Sequence, residues 1–234
     1  MPQRRTEEFI DLYKRLESAL RANFDLDPND SPVYWAARNH VELRRMRDDL
    51  DCCREIRNLL SHNPTIGGTY AVEPSDAAID ALRQAIERVE RPPLALDEGV
   101  RCPGVFTRAL DDLVRPALQE MVAKDYSHVP IVDDGRVVGV FSASNLLTLH
   151  AMRTSVLIDD ATRFADLADA LPLDAHRELF PFVPRDATVY ALADLIESAD
   201  DRDERIGLVF VTQNGNASER LLGIVSAQDI AAAL

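Results

Sequence analysis

The sequence predicts an α+β chain: an all-helical bundle, followed by two copies of a strand–helix–strand–strand–helix (βαββα) repeat. Three observations predict it. Up to Arg91, apolar residues recur at helical spacing between widely separated breakers. Pro92-Pro93 then interrupts the pattern and marks a boundary, so residues 1–92 and 93–234 read as separate domains. Beyond it, GVFSASNL (Gly139–Leu146) and GIVSAQDI (Gly223–Ile230) are an internal repeat.

The helical part opens at Thr6, where Phe9, Leu12, Tyr13, Leu16 and Leu20 form one face of a helix running to Ala22. Residues 23–32 are rich in Asp, Asn and Pro and read as a loop. Ser31-Pro32 is an N-cap followed by a first-turn proline. From Pro32 to Ser61 there is no internal Pro or Gly, which predicts a single long helix. Asn63-Pro64 ends it, because the residue before a proline is pushed out of the helical region. Ile66–Tyr70 is read as a loop, and Ser75-Asp76 opens a further helix to about Arg91.

In the first repeat, about 103–150, Val105-Phe106-Thr107 is the expected strand and Asp111–Met121 the expected helix. Val129–Val132 and Val137–Phe141 are strands around an Asp133-Asp134-Gly135-Arg136 turn. Ser142 stands where a helix should begin, with Asn145 three residues on. Phe164, Leu167, Ala168 and Leu171 predict a short connecting helix ended by Pro172. The second repeat, about 180–234, offers Phe182–Val189, a Tyr190–Ser198 helix, strands at Leu208–Val211 and Leu221–Val225, and a last helix from Ser226. Asp200–Arg205 is a charged connector within it.

Lys plus Arg number 26 against 40 Asp plus Glu, a net charge of −14. This argues against a generic DNA coat or a polybasic membrane anchor. Up to Arg91 the balance is only 14 basic to 17 acidic, compatible with either a salt-bridged helical surface or an RNA-facing patch. Cys52, Cys53 and Cys102 make neither a disulfide framework nor a zinc spacing, and fit a reducing compartment. No apolar signal core and no run approaching the ~18 residues of a membrane span is present, so the expectation is a soluble cytoplasmic protein. The histidines show no metal spacing, and no glycine-rich phosphate loop or nucleophile elbow occurs.

The two repeats resemble a tandem of CBS (cystathionine β-synthase) domains, a Bateman module. YSHVPIVDDGRVVGVFS with ALQEM upstream carries the first copy, and VPRDATVYALADLI with LLGIVSAQDI carries the second. The resemblance implies homodimers and a regulatory adenine nucleotide (AMP, ADP or ATP), with no other cofactor. It also implies that a hydroxyl residue and an acid three positions on bind ribose, a pattern that Ser226 and Asp229 match. A helix start suits this, since its free N–H groups favour anions. Ser-x-x-Asp is equally an ordinary helix cap. Ser142 and Asn145 take the equivalent places in the first repeat, with Asn145 replacing the acid. Phe182, Val183 and Ile206 are expected to line the slot for the base, and His128 joins the candidate contacts. The second repeat departs from the first in having Leu208 where the first has Pro130, and a longer turn from Gln213 to Arg220.

Late in the helical part, Arg57-Asn58 followed by His62 resembles the motif of HEPN (higher eukaryotes and prokaryotes nucleotide-binding) domains. These are small helical bundles, many of them metal-independent ribonucleases that act as dimers. The chemistry suits the residue types: a histidine can move the 2′-hydroxyl proton, and a guanidinium can stabilise the pentavalent phosphate. Asn58 would orient. His62 could instead cap the last carbonyls of its helix. Two readings therefore stand. In one, a nucleotide-sensing CBS pair controls a candidate metal-independent endoribonuclease acting on RNA. In the other, the protein is non-catalytic, and its helical domain dimerises or binds a partner.

Overall fold

A computed structural model describes residues 2–24, 26–27, 29–62, 65–66, 69–70, 72–142, 144 and 158–234. They divide into two compact units, Met1–Pro93 and Leu94–Leu234.

The first unit is a helical bundle. Helix α1 (Pro2–Asn23) starts four residues earlier than the apolar pattern does, since a proline in the first turn lacks only an N–H that has no helical partner there. It buries Phe9, Tyr13, Leu16 and Leu20 completely or nearly so. α1 packs along the last helix of the unit in the parallel sense, with Arg5 bonded to Asp76 at one end and Arg15 to Glu90 at the other. The single helix expected over 32–61 is broken in two. α2 is Pro32–Asn39, a turn and a short 3-10 segment (Arg44–Met46) follow, and α3 is Arg47–His62. No breaker residue causes this. His40 is extended (φ −96°, ψ 124°), its ring packs edge-on against Phe24 at 4.4 Å, and its Nδ1 lies 2.9 Å from Glu42 Oε2. Leu43 is fully buried. Burying Leu43 while giving the buried Glu42 carboxylate a partner is incompatible with a continuous helix, and tertiary packing overrides propensity. The expected loop at 66–70 has paired ends: β1 (Thr65–Ile66) and β2 (Thr69–Tyr70) are antiparallel. Gly67-Gly68 lies outside the described residues. Ser75 caps α4 (Asp76–Glu90) by accepting from the Ala78 N–H at 3.2 Å.

The second unit contains α5 (Ala95–Glu98), β3 (Val100–Arg101), α6 (Val114–Lys124), the hairpin β4 (His128–Asp133) and β5 (Arg136–Ser142), β6 (Glu178–Leu179), β7 (Phe182–Pro184), α7 (Val189–Asp200), β8 (Arg205–Ile206), β9 (Val209–Thr212), β10 (Gly223–Val225) and α8 (Ala227–Ala233). Asp134 (φ 46°) and Gly135 (φ 77°) form the two-residue turn of the first hairpin, whose twist demands two positive-φ residues. One sheet has the order β3-β10-β9-β7, with β7 parallel to β9 and the other pairs antiparallel.

Three expectations are corrected here. Val105–Thr107 is not a strand; Arg108 alone bridges to Ile131. The helix expected from Asp111 begins at Val114. Starting at Asp111 would place Pro116 in the helix interior, where it removes a bond and clashes with a carbonyl; starting at Val114 makes it a first-turn proline without penalty. The segment Phe164–Ala170 is 3-10, so the buried side chains are Phe164, Leu167 and Ala170, three apart, and Ala168 is exposed.

One segment also crosses between the repeats. β3 and α5, which precede the first repeat, complete the second: β3 pairs with β10, and Ala95 and Leu96 join the core of Val189, Leu192, Val209, Val211, Val225 and Ile230. Phe164 and Leu167, which follow the first repeat, stay with it and pack into its core against Val114, Val129, Ile131 and Phe141. Between the copies lies a seam of Val105, Val137, Val140, Phe180, Leu208, Phe210 and Leu221. It is tied by the Leu221 N–H donating to Gly135 O at 2.8 Å and by Arg220 donating to Asp134 at 3.0 Å.

Candidate functional site

The start of α8 is built by β10 ending at Val225. Ser226 leaves the strand in an extended conformation, and its hydroxyl accepts from the Asp229 N–H at 3.2 Å. Asp229 reaches back: its Oδ2 accepts from Ser226 N at 2.8 Å and from Ser226 Oγ at 2.7 Å. The pair is a reciprocal helix cap that satisfies donors left open at a helix start. Asp229 Oδ1 accepts no hydrogen bond from the described residues.

This cap forms one wall of a cleft of ≈ 390 Å³ within the second unit. Its other walls come from Val100, the Gly104–Phe106 segment, the end of α6 with its following residues (Lys124–His128), Leu208 and Ile224. The volume lies in the range of small-molecule sites, ~300–1,000 Å³. The lining is divided by chemistry. Phe106 and Tyr126 face each other at 5.6 Å with their planes tilted by 40°. The guanidinium of Arg108 covers Phe106 at 3.9 Å and is fixed by Glu120 at 3.0 Å. The polar lining includes Ser127, His128, Lys124, Asp125, Ser226 and Asp229. Lys124 bonds Glu120 at 2.8 Å, which raises the lysine pKa and lowers that of the glutamate. His128 bonds Ser127 Oγ through Nδ1 and Glu178 through Nε2, each at 2.8 Å.

The cleft therefore brings together Ser226, Asp229 and His128 of the sequence-predicted residues. Phe182, Val183 and Ile206, the expected base slot, do not line it. Phe182 packs against Phe210 at 5.1 Å, while Val183 and Ile206 flank the core of the second repeat. Ser142 is buried at the end of β5, with its Oγ 2.9 Å from Ser144 Oγ, and Asn145 lies outside the described residues. Phe106, Tyr126, Lys124 and Ser127 were missed as site residues. The sequence did hold one signal, two aromatics flanking the helix expected over Asp111–Met121, but only the contact of Phe106 with Tyr126 and Lys124 at the helix end makes it a wall.

The family model for the CBS domain matches residues 110–151 and 176–234. The second unit is a tandem pair of CBS domains. Solved structures similar to the CBS pair include hypoxic response protein I with two coordinated zinc ions (23% identity, 60% of this chain and 98% of that one, TM-score 0.42). A Vibrio cholerae protein named for acetoin utilization, AcuB, aligns at 22% identity over 58% of this chain and 86% of its own, with TM-score 0.43. CBSX2, solved in complex with AMP, aligns at 22% identity over 60% and 95%, with TM-score 0.42. No curated protein matches the chain.

Outside the CBS pair, Arg57, Asn58 and His62 all stand in the last six residues of α3, with His62 its final residue. Arg57 and Asn58 are half-buried. The Arg57 guanidinium lies 5.7 Å from the ring of Tyr13, and its Nη1 is 3.4 Å from Asn58 Oδ1. Burial pushes the Tyr13 phenol up to about 12. The His62 side chain lies outside the described residues. Along α3, Arg54 rather than Arg57 shares the angular position of Asn58, at ~100° per residue. Its guanidinium lies 5.2 Å from the Tyr34 ring and its Nε 3.7 Å from Asp51. Among the described residues no helix is long and apolar enough to cross a membrane, and no cluster of three metal-ligating side chains occurs.

Proposed function

We propose that the CBS pair binds an adenine nucleotide (AMP, ADP or ATP) in the cleft at the start of α8 and thereby regulates the helical unit. The observation that carries this reading is the division of the cleft's lining. Two aromatic side chains at one part suit a base, Asp229 with an unengaged Oδ1 suits ribose hydroxyls, and a helix start with Lys124 and Ser127 suits phosphate. Isothermal titration with AMP, ADP and ATP tests it; absence of binding by all three overturns it.

For the helical unit we propose a HEPN-like, metal-independent endoribonuclease working as a homodimer. Arg57 and Asn58 near the end of α3, with His62 as its last residue, support this reading. Purified protein should cleave single-stranded RNA in EDTA, and Arg57→Ala or His62→Ala should each abolish cleavage. Cleavage surviving His62→Ala would be a contaminant's. A folded protein without cleavage under any nucleotide condition would make the unit a partner-binding module. Light scattering that finds a monomer at micromolar concentration would remove the composite dimer site.

A further inference from the structure

A hydrogen-bond relay ends in the cleft and crosses from one repeat to the other. It runs from Ser127 Oγ to His128 Nδ1, and from His128 Nε2 to Glu178 Oε2. An ionised carboxylate only accepts, so Nε2 carries the hydrogen. In the neutral ring Nδ1 then accepts, and the Ser127 hydroxyl donates to it. The His128 side chain is 8% exposed, whereas Ser127 is exposed on the cleft wall. The ring is held edge-on against Phe180 at 5.5 Å, and Phe180 is flanked on a further edge by His176 at 5.0 Å.

We propose that Ser127, His128 and Glu178 are a proton-coupled reader of the anionic part of the ligand: a phosphate-bearing ligand enters this cleft with uptake of a proton at His128. The inference rests on the nucleotide-binding reading for the ligand's identity, but not for its charge. A proton from solvent adds to Nδ1, and no covalent bond other than that N–H forms. Nδ1–H now donates to Ser127 Oγ, so the hydroxyl hydrogen must turn away from the ring. Ser127 thus changes from a donor spent on histidine to a donor available to the cleft. The ring gains a positive charge beside it, and Glu178 stabilises that charge. Both changes favour an anion, and by linkage the anion favours the protonated ring.

Charged and titratable groups of other elements share the cleft and the strand pair with His128. Lys124, Asp125 and Tyr126 at and after the end of α6, and Asp229 of α8, line the same cleft, and Arg205 stands opposite Glu178 in β8. Groups of these types ordinarily hold one charge state between pH 6 and pH 8, whereas histidine changes within that window. His176 donates Nε2–H to Val140 O, and burial lowers its pKa.

The test is titration of the full chain with AMP at pH 6 and pH 8, in buffers of different ionisation heat, beside His128→Gln, Ser127→Ala and Glu178→Gln. The phosphate of AMP itself titrates near pH 6, so proton uptake is read as the difference from His128→Gln. Affinity should be about tenfold weaker at pH 8 than at pH 6 beyond the loss that His128→Gln retains. Ser127→Ala should weaken binding more at pH 6 than at pH 8; Glu178→Gln should shrink the pH dependence. Adenosine, which lacks the anion, should bind without this dependence. Equal proton uptake in wild type and His128→Gln overturns the reader and leaves nucleotide binding intact. If AMP fails to bind while inorganic pyrophosphate binds with uptake that His128→Gln removes, the reader stands and the nucleotide reading falls. Failure of both probes overturns both.

Discussion

Asp229→Ala separates a ligand-binding carboxylate from an ordinary helix cap. Asp229 Oδ2 is occupied by the backbone N–H and hydroxyl of Ser226 at 2.8 and 2.7 Å. Losing that cap should cost about 1 kcal/mol of stability, a shift of roughly 2–4 °C in melting temperature for a protein of this size. Oδ1 has no partner among the described residues, and Asp229 lines the cleft. A charge-assisted hydrogen bond from a ribose hydroxyl to it contributes about 1.5–3 kcal/mol, so the alanine variant should bind AMP roughly 10- to 150-fold more weakly. Asp229→Asn keeps an acceptor but loses the charge, and should recover about half of that free energy. The assay is isothermal titration at 25 °C beside thermal melts of each variant. If both variants melt lower yet bind AMP with wild-type affinity, Asp229 is only a cap and the site reasoning is wrong. Asn145→Ala, the equivalent position in the first repeat, should lose less than Asp229→Ala; an equal or greater loss would reverse the ranking of the two sites.

Gly139→Ala should destabilise the CBS pair by about 1–3 kcal/mol, as a lower urea midpoint, because its new Cβ would sit 2.6 Å from the Leu171 carbonyl oxygen that accepts the Val140 N–H; an unchanged midpoint would show that this strand and the 164–171 segment do not pack as described. Glu219 gathers the Asn214 N–H at 2.7 Å and its side-chain amide at 2.6 Å, which holds the carboxyl at about 2, below its ordinary 4.5. A folded pKa below the unfolded one contributes stability that is present above about pH 4.5 and lost as pH falls toward 2. The melting-temperature gap between wild type and Glu219→Gln should therefore narrow from pH 6 to pH 3, and a gap that widens on acidification would contradict the turn geometry.

Much of the fold was legible in the sequence because it is local. The Asp134-Gly135 turn, the cap at Ser75, the cap at Ser226–Asp229 and the repeat itself all depend on residues within a few positions of one another, and short-range chemistry specifies them. The same short-range spacing that makes the Ser226–Asp229 cap also puts both residues on the wall of the cleft. What tertiary structure decided depends on burial between distant segments. Nothing between Pro32 and Ser61 breaks a helix, yet the His40–Glu42 pair and Leu43 divide it, because their burial outweighs continuing the backbone ladder. Val100–Arg101 is too short to announce itself as a strand and exists by pairing with β10, more than a hundred residues away. The base slot was expected against apolar strands, with Phe182, Val183 and Ile206 as its candidates. In the structure those side chains are half-buried and pack against cores, one of them completed by the 94–101 segment, while Phe106, Tyr126 and the end of α6 line the cleft. A sequence pattern records which residues alternate or cap; which distant copy they complete is fixed only by burial between segments far apart in the chain, as when Ala95 and Leu96 join the core of the second repeat.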